Sequence, residues 1–293
     1  MERKFKLMYL KDTILEMIDS GKSKTEISRD LKVNVNSVSS LVKAFRPDLK
    51  FMPDKGNVHY FDNIDTYSKA YIAGFIAADG ALVSNGNSSI VLTITIKYED
   101  KEVLDFIKSE IGNSHKLQEI IRPSSFNPDS NIHHIRYAIS DKNITTALNK
   151  LGITSNKSLT MPNILVNIPE QFRDAFIIGY FDGDGSVTIR EGEYPNDRGF
   201  MCKDYSLYIN IRGTEEFLAG ICNHLNIDNS HIRKFDSTPS LSFASKKDTY
   251  RFFQCYNNLQ FYYKRKYDKF LLRINHPSYD KYKQVQTISS LID

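Results

Sequence analysis

The sequence has little of what marks secreted or membrane proteins. Its three cysteines (Cys202, Cys222 and Cys255) are odd in number and lack the spacing of a metal site. Its longest apolar stretches are about a dozen residues and are interrupted by Gly and Asp, too short to span a bilayer. The first residues lack the apolar core of a secretory signal. These absences predict reduced thiols and a cytoplasmic or organellar protein that is not secreted.

Composition alone excludes little else. With 293 residues, 41% hydrophobic and 25% charged, the chain has room for two or three globular domains. The net charge of +4 is modest, but its distribution is uneven. Residues 1–50 hold 11 Lys/Arg against 7 Asp/Glu, and residues 261–283 hold 7 Lys/Arg against 2 Asp, interleaved with Tyr262, Tyr263, Tyr267, Tyr279 and Tyr282. Such basic, aromatic patches fit a phosphate-contacting surface. A solvated helix face with snorkelling lysines is the alternative.

Residues 10–46 predict three short helices. Apolar residues recur at helical spacing, and Asn34 suits the N-cap of the third helix. The spacing resembles a helix-turn-helix of the resolvase type, which predicts a DNA-binding domain over residues 1–50 and a linker over 51–64. The outward positions of the third helix suit entry into a major groove: Asn36, Ser37, Ser40 and Lys43. A purely structural three-helix bundle is the alternative.

The rest of the chain repeats itself. The first copy predicts a helix at 65–80, a hairpin at 81–98, a helix at 100–111, a hairpin at 115–140 and a helix at 141–151. The second predicts the same order at 170–185, 186–212, 214–225, 231–245 and 246–257. The offset between copies is 105 residues at the start, 115 to 116 in the middle and 105 at the end. The changes fall in predicted hairpin loops at 191–203 and 122–131, as a structural repeat requires.

Alternation along the predicted strands gives each sheet a buried face and an open face. In the first copy Leu92, Ile94 and Ile96 oppose Thr93, Thr95 and Lys97. The open faces carry hydroxyls, amides and cations with almost no acids, which favours contact with a polyanion. The predicted contact residues of the sheets are Thr93, Thr95, Lys97, Arg136, Ser186, Thr188, Arg190, Tyr208, Asn210 and Arg212.

Two near-copies of one segment begin these repeats: IAGFIAADG at 72–80 and IIGYFDGDG at 177–185. An Asp at a helix C-terminus opposes the helix dipole at a cost of a few tenths to ~1 kcal/mol. Its occurrence twice indicates that Asp79 and Asp184 act together, most simply as ligands of a divalent cation. Small residues at Gly74 and Gly179 allow the two helices to pack closely. For either Asp alone, a loop or capping role is the alternative.

Both segments resemble the LAGLIDADG motif of homing endonucleases, and the resemblance covers roughly residues 65–275. It implies an α+β fold in which two pseudo-symmetric αββαββα halves, at 65–160 and 161–293, form a saddle of antiparallel sheets. It further implies a monomer that hydrolyses both strands of a long, nearly palindromic site in double-stranded DNA. The implied cofactor is Mg²⁺, two or more ions at the interface of the halves, with Mn²⁺ as a substitute and Ca²⁺ supporting binding without cleavage.

The resemblance also assigns site residues. Asp79 and Asp184 occupy the metal-ligating motif position, next to Gly80 and Gly185, which are included in the metal-binding set. Lys157 and Lys266 match the lysine that follows each half at the edge of the metal site. A phosphate contact is the alternative role for each, and Lys269 is the alternative to Lys266.

Some questions stay open at the level of the sequence. The sixth motif position is Ala77 in one half and Asp182 in the other, and the role of Asp182 is undetermined. The host, bacterial, phage-borne or organellar, and the target sequence are likewise undetermined. A non-catalytic transcription regulator and an intron RNA maturase on the same fold are the alternative functions.

Overall fold

A computed structural model describes residues 9–20, 22, 24–47, 56–84, 90–113, 115–123, 130–195, 198–235 and 238–280. The chain divides into two compact units, Met1–Asp54 and Lys55–Asp293. Each unit has its own cluster of buried apolar side chains.

The first unit contains three helices: α1 at Lys11–Asp19, α2 at Lys24–Asp30 and α3 at Val35–Phe45. Their apolar faces meet in a small core of Ile14, Ile18, Ile27, Val38, Leu41 and Val42. Asn34 caps α3, because its side chain accepts a hydrogen bond of 2.8 Å from the amide of Asn36. The predicted order of three helices is therefore present, whereas DNA binding by this unit stays a prediction.

The second unit consists of two halves of identical element order. In the first half the elements are α4 (Tyr67–Asp79), β1 (Gly80–Ser84), β2 (Ile90–Lys97), α5 (Lys101–Ile111), β3 (Gln118–Pro123), β4 (Asn131–Ile139) and α6 (Lys142–Leu151). A short helix, α7 (Lys157–Thr160), follows. In the second half they are α8 (Arg173–Asp184), β5 (Gly185–Pro195), β6 (Met201–Arg212), α9 (Glu215–Leu225), β7 (Ile232–Phe235), β8 (Thr238–Phe243) and α10 (Lys246–Gln254), and α11 (Lys264–Ile274) completes the unit. The two αββαββα halves are confirmed. Helix α7 was not anticipated, whereas α11 lies in the basic patch for which a helix face was the alternative interpretation.

Each half folds its four strands into one antiparallel sheet of the same topology, β1-β2-β4-β3 and β5-β6-β8-β7. Gly80 pairs with Ile94 in the first sheet, and Gly185 pairs with Ile211 in the second. The structural counterpart of Ile211 is therefore Ile94, two residues before Ile96, which the 115-residue offset between the copies would match with Ile211. The shift arises because the strand register is fixed at the motif glycine, whereas three residues of 3₁₀ helix, Tyr98–Asp100, lengthen only the first half.

Two glycines let α4 and α8 pack with their backbones in direct contact. A Cβ added to Gly74 would lie 2.0 Å from the carbonyl oxygen of Phe176, and one added to Gly179 would lie 2.0 Å from that of Tyr71. The contact is reciprocal, since each glycine faces the backbone one turn before the other glycine. Both helices are buried along almost their whole length, so they form the centre of the unit.

The hairpin and linker boundaries differ in part from the sequence prediction. The extra residues at 191–203 do not form only a loop, because β5 continues to Pro195 and β6 begins at Met201. The other predicted loop, 122–131, begins in strand β3, and residues 124–129 lie outside the described part. In the predicted linker, Tyr60, Phe61 and Ile64 are buried in the core of the second unit, because their aromatic and aliphatic surface packs there. Residues 51–55 lie outside the described ranges.

The basic C-terminal segment exposes Lys264, Arg265 and Lys269, but its described tyrosines do not form a surface patch. Tyr263 and Tyr279 are buried, and Tyr262 and Tyr267 are partly buried against the core. The aromatic rings pack on one another, as Tyr262 on Tyr267 at 4.5 Å between centroids. Burying aromatic area outweighs exposing it to solvent or phosphate. Tyr282 lies outside the described residues. Among the described helices, none is long and apolar enough to cross a membrane.

Substitution of Gly74 by Ala should destabilise the second unit by about 1–3 kcal/mol or more, because the new methyl group meets a backbone oxygen that cannot rotate away. Gly213→Ala is the matched control, since its added Cβ would meet only side-chain atoms, at 3.1 Å and beyond. Urea denaturation of the two variants measures the difference. Equal stabilities would contradict the proposed close helix contact.

Candidate active site

Each motif helix runs directly into the first strand of its sheet. Helix α4 ends at Asp79 and β1 begins at Gly80, while α8 ends at Asp184 and β5 begins at Gly185. Neither glycine has a left-handed backbone, but both need to lack a side chain. A Cβ on Gly80 would lie 2.6 Å from the carbonyl oxygen of Ile76, and one on Gly185 would lie 2.1 Å from the ring of Phe181. The Asp-Gly pair therefore makes a helix-to-strand junction without a loop.

The paired helices bring the two motif acids together. Asp79 is partly buried and Asp184 is exposed. A Cβ on Gly183 would lie 2.4 Å from the Cβ of Ala78 and 3.3 Å from Oδ2 of Asp79, so the small residue beside Asp184 makes room for the end of the other motif helix. Burial and then repulsion from Asp184 raise the pKa of Asp79 to about 6. Partial desolvation of its carboxyl group raises the pKa of Asp184 as well, although the side chain reaches solvent, and Lys157 and Lys266 oppose this shift. The arrangement is thus electrostatically unfavourable without a cation.

Lys157 provides one of the two buried ammonium groups beside the acids. It begins α7 and is only 8% exposed. Its Nζ donates to the carbonyl oxygen of Ala78, one residue before Asp79. Burial lowers the pKa of Lys157, while Asp184 and Asp79 oppose that shift. The lysine is therefore held at the end of the first motif helix, within the field of both carboxylates.

Lys266 occupies the corresponding place at the end of α8. Its Nζ donates to the carbonyl oxygens of Phe181 at 2.6 Å, Asp182 at 2.8 Å and Gly185 at 2.6 Å. Burial lowers its pKa to about 8, with Asp182 acting in the opposite direction. Lys269 instead donates to the carbonyl oxygen of Val187 at 3.2 Å. The geometry therefore favours Lys266 over Lys269 as the counterpart of Lys157.

Asp182 faces the protein interior, not the acid pair. It is 1% exposed, and its Oδ2 accepts from the hydroxyl of Tyr71 and from the amide of Tyr263, both at 2.8 Å. Tyr71 belongs to the first motif helix, and Tyr263 immediately precedes the helix that carries Lys266. Burial raises the pKa of Asp182 to about 6, although Lys266 lowers it. Asp182 thus joins the two halves and anchors the start of α11.

A cavity of about 210 Å³ opens at this place. Its lining includes Lys157, Asp184, Tyr180 and Arg212. A larger cavity of about 710 Å³ lies along α6 and residues 59–63, and its lining contains neither motif acid. The smaller cavity therefore combines a motif acid with one of the two buried lysines.

The predicted DNA-contact residues differ in how far they are exposed to solvent. On the open sheet faces Thr95, Lys97, Ser186, Thr188, Arg190 and Arg212 are exposed, and Arg136, Tyr208 and Asn210 are partly buried. Thr93 is 7% exposed and its hydroxyl donates to the carbonyl oxygen of Ala81 at 3.4 Å. The alternation placed Thr93 on the open face but did not reveal that neighbouring strands cover it. In the first unit Asn36, Ser40 and Lys43 are exposed, and Ser37 is partly buried.

The two motif acids fit a divalent cation that takes its remaining ligands from water and phosphate. Two carboxylates supply hard oxygen atoms, and Mg²⁺ commonly combines one or two carboxylates with waters and phosphate oxygens. The part of the chain that the structure describes has no group of three or more His, Cys, Asp and Glu that could hold a metal. Of the two predicted glycine ligands, Gly80 is buried, and the carbonyl oxygen of Gly185 already accepts from Lys266. The acids are therefore the better ligand candidates.

Fold and site together define a two-half α+β protein with a carboxylate pair and two buried lysines at its pseudo-symmetry axis. No protein-family model and no curated protein matches the chain. Among solved structures it is similar to the I-LtrWI LAGLIDADG homing endonuclease bound to target DNA, at 15% identity and a TM-score of 0.44, over 78% of this chain and 92% of that one. It is also similar to the LAGLIDADG meganuclease I-AabMI bound to uncleaved DNA, at 12% identity and a TM-score of 0.46, over 73% and 91% of the two chains.

A third similar structure is I-SmaMI bound to an uncleaved DNA target in the presence of calcium ions, at 13% identity and a TM-score of 0.42, over 65% of this chain and 85% of that one. Because the identities and TM-scores are low, these likenesses carry no activity over to this chain.

The raised pKa of Asp79 predicts a pH-dependent stability in the absence of metal. A folded-state pKa above the unfolded value means that stability is fully present below about pH 4 and is lost as the pH rises through about 6. With a chelator present, Asp79→Asn should therefore be more stable than the wild type above pH 6, by on the order of 1–3 kcal/mol. Urea denaturation below and above this window tests the prediction. Glu102→Gln, which removes an exposed charge, is the control. If Asp79→Asn raised the stability no more than Glu102→Gln does, the assignment of the raised pKa to Asp79 would be wrong.

Proposed function

We propose that the protein is a site-specific endonuclease that hydrolyses phosphodiester bonds in double-stranded DNA with Mg²⁺ as cofactor. The proposal rests on the position of Asp79 and Asp184, which lie together at the ends of two helices whose backbones are in contact. A buried lysine donates to carbonyl oxygens at each of these helix ends. A structural core has no need for two acids with raised pKa values at one point. A metal-dependent site acting on a polyanion does.

When bound, Mg²⁺ supplies Lewis-acid stabilisation of the phosphate and an activated water. Asp79 and Asp184, one from each half, would hold the ion through carboxylate oxygens. Two carboxylates would leave further coordination positions for water and for phosphate oxygens of the DNA. The carboxylates also place the reaction at the pseudo-symmetry axis, where both strands of a duplex lie at comparable distances.

The two lysines have different hydrogen-bonding states. Lys266 donates to three carbonyl oxygens, which uses all the protons of an ammonium group. It therefore acts as a fixed positive charge and does not transfer a proton. Lys157 donates to the carbonyl oxygen of Ala78 and lines the cavity beside Asp184. Its ammonium group can therefore contact a phosphate oxygen or the attacking water in that cavity.

The open sheet faces would form the DNA-binding surface. They carry the exposed cations Lys97, Arg190 and Arg212. Among the strand residues that the structure describes, the register places one acid on these faces, Asp204 opposite Gly192. A two-stranded ribbon or sheet fits the major groove, where hydroxyl, amide and guanidinium groups read base edges. The first unit would add a second DNA contact through α3, whose exposed side carries Asn36, Ser40 and Lys43.

Substitution of either motif acid by its amide should abolish cleavage while preserving DNA binding. Asp79→Asn and Asp184→Asn each remove a metal-ligating carboxylate, and we expect a rate loss on the order of 100-fold or more. Asp182→Asn is the matched control, because the amide oxygen can still accept from Tyr71 and Tyr263, and its effect on the rate should be far smaller. Cleavage is measured with Mg²⁺ and binding with Ca²⁺. Near wild-type cutting by Asp79→Asn, or efficient cutting in EDTA, would refute the active site.

Removal of the first unit should weaken DNA binding without abolishing cleavage. A chain that begins at Lys55 keeps both halves, both acids and both lysines. For each phosphate that residues such as Lys43 no longer bind, the slope of log affinity against log salt should fall by roughly 0.9. Salt titrations and footprints of the full-length and shortened chains on one duplex measure this. An unchanged slope and footprint would mean that the three helices bind something other than this DNA.

A further inference from the structure

The two open sheet faces differ in chemistry at structurally equivalent positions. Strand register defines the equivalence, because Gly80 and Gly185 begin β1 and β5 opposite Ile94 and Ile211. Counting from these pairs, five positions next to the motif acids can be matched between the sheets. In the first sheet they are Ala81, Val83, Val91, Thr93 and Ala138, and in the second they are Ser186, Thr188, Tyr208, Asn210 and Ser242.

The first of these faces is apolar and accessible. Val83 is 49% exposed, Ala81 is exposed, and Val91 and Ala138 are partly buried. The hydroxyl of Thr93 donates to the carbonyl oxygen of Ala81, so it is already engaged within the sheet. We name Ala81, Val83, Val91 and Ala138 the apolar patch. Within it no side chain offers a hydrogen-bond donor or acceptor.

The second face offers hydrogen-bonding groups at the same places. Ser186 and Thr188 are exposed, and Asn210 donates to Ser242 at 2.6 Å, which fixes the orientation of its amide. The guanidinium of Arg190 lies 3.7 Å from the ring centroid of Tyr208. The amide and the guanidinium are the groups that bind adenine and guanine edges in the major groove.

The charged residues next to the apolar patch favour a DNA duplex as its binding partner. The patch is bordered on its own sheet by Thr95 and Arg136, which pair across β2 and β4, and by Lys97 two residues further along β2. Two cations, Arg136 and Lys97, next to one side of an apolar patch suit a polyanion whose groove contains apolar groups. The 5-methyl group of thymine is the apolar group that a major groove presents.

We propose that the first half reads thymine methyl groups next to the cleavage centre, whereas the second half reads base edges by hydrogen bonding, so the two half-sites differ there. Ala81 and Val83 lie two and four residues from Asp79, roughly 7 and 13 Å along an extended strand. At about 3.4 Å per base pair, the affected positions are within roughly four base pairs of the reacting phosphates. The inference rests on the proposed function, since it names the substrate of the same site.

The test uses the full-length protein and sites selected from a randomised duplex library, bound in Ca²⁺ and cut in Mg²⁺. T·A pairs should be enriched in the inner positions of one half-site only. Thymine is then replaced by deoxyuridine, which removes the methyl group alone, in each half-site separately. Affinity should fall about 4-fold per methyl in the half-site bound by the first half, the factor for one buried CH₂ group. It should not change in the other half-site.

A pair of isosteric exchanges assigns the effect to its residues. Val83→Thr should abolish the response to deoxyuridine at one position, and Thr188→Val should create a response at the equivalent position of the other half-site. Val83 is half exposed, so its exchange should leave the thermal unfolding temperature unchanged. Val166→Thr, at an exposed valine in the 3₁₀ helix Ile164–Asn167 and so outside both sheets, should leave the deoxyuridine response as in the wild type.

The outcomes separate this inference from the proposed function. Cleavage of a selected site with equal deoxyuridine responses in both half-sites, or with none, would overturn the thymine assignment and leave the endonuclease intact. Binding with the asymmetric deoxyuridine response but without any cleavage would overturn the endonuclease proposal and leave the thymine assignment intact. Self-association without DNA that Val83→Thr weakens would assign the apolar patch to a second copy of the chain, and absence of any duplex binding would overturn both proposals.

Discussion

The backbone contact between helices α4 and α8 is the constraint on which the rest of the structure depends. Gly74 and Gly179 face the opposite helix backbone so closely that a single methyl group on either would collide with it. This approach places the two helix ends together and so creates the acid pair. It also fixes the start of both sheets, because each helix passes into its first strand without a loop. The position of the candidate chemistry and that of the candidate DNA surface therefore follow from one packing interaction.

Two carboxylates placed together repel each other, and the two halves offset this repulsion with different residues. Burial and mutual repulsion raise the pKa of Asp79, while Lys157 and Lys266 offset part of this effect. Each lysine satisfies carbonyl oxygens at the end of a helix, where the dipole favours a cation. The second half adds Asp182, whose buried carboxylate binds the first motif helix and the start of the helix that carries Lys266. The first half has Ala77 there, so the pseudo-symmetry of the fold does not extend to the support of the two lysines.

Asymmetry also separates the two sheets, although their topology is identical. Both use the same alternation of buried and open positions, because that pattern is what attaches each sheet to the helices. The open positions do not pack on the helices, and their residues differ between the two sheets. Valines and alanines occupy one face where hydroxyl and amide groups occupy the other. A single chain with two halves can therefore present two different surfaces on one scaffold.

The sequence by itself determined the parts that depend on local pattern. Helical and strand periodicity and the repeated motif gave both αββαββα halves and selected Asp79, Asp184, Lys157 and Lys266, because each is marked by spacing or by its likeness to a motif. Tertiary structure alone decided the rest. Strand register, set at Gly80 and Gly185, moved the counterpart of Ile211 to Ile94, and packing between distant segments buried Thr93, Tyr263 and the predicted linker residue Phe61. Burial and register depend on which segments meet across the fold, and the order of residues along one chain does not contain that information in local form.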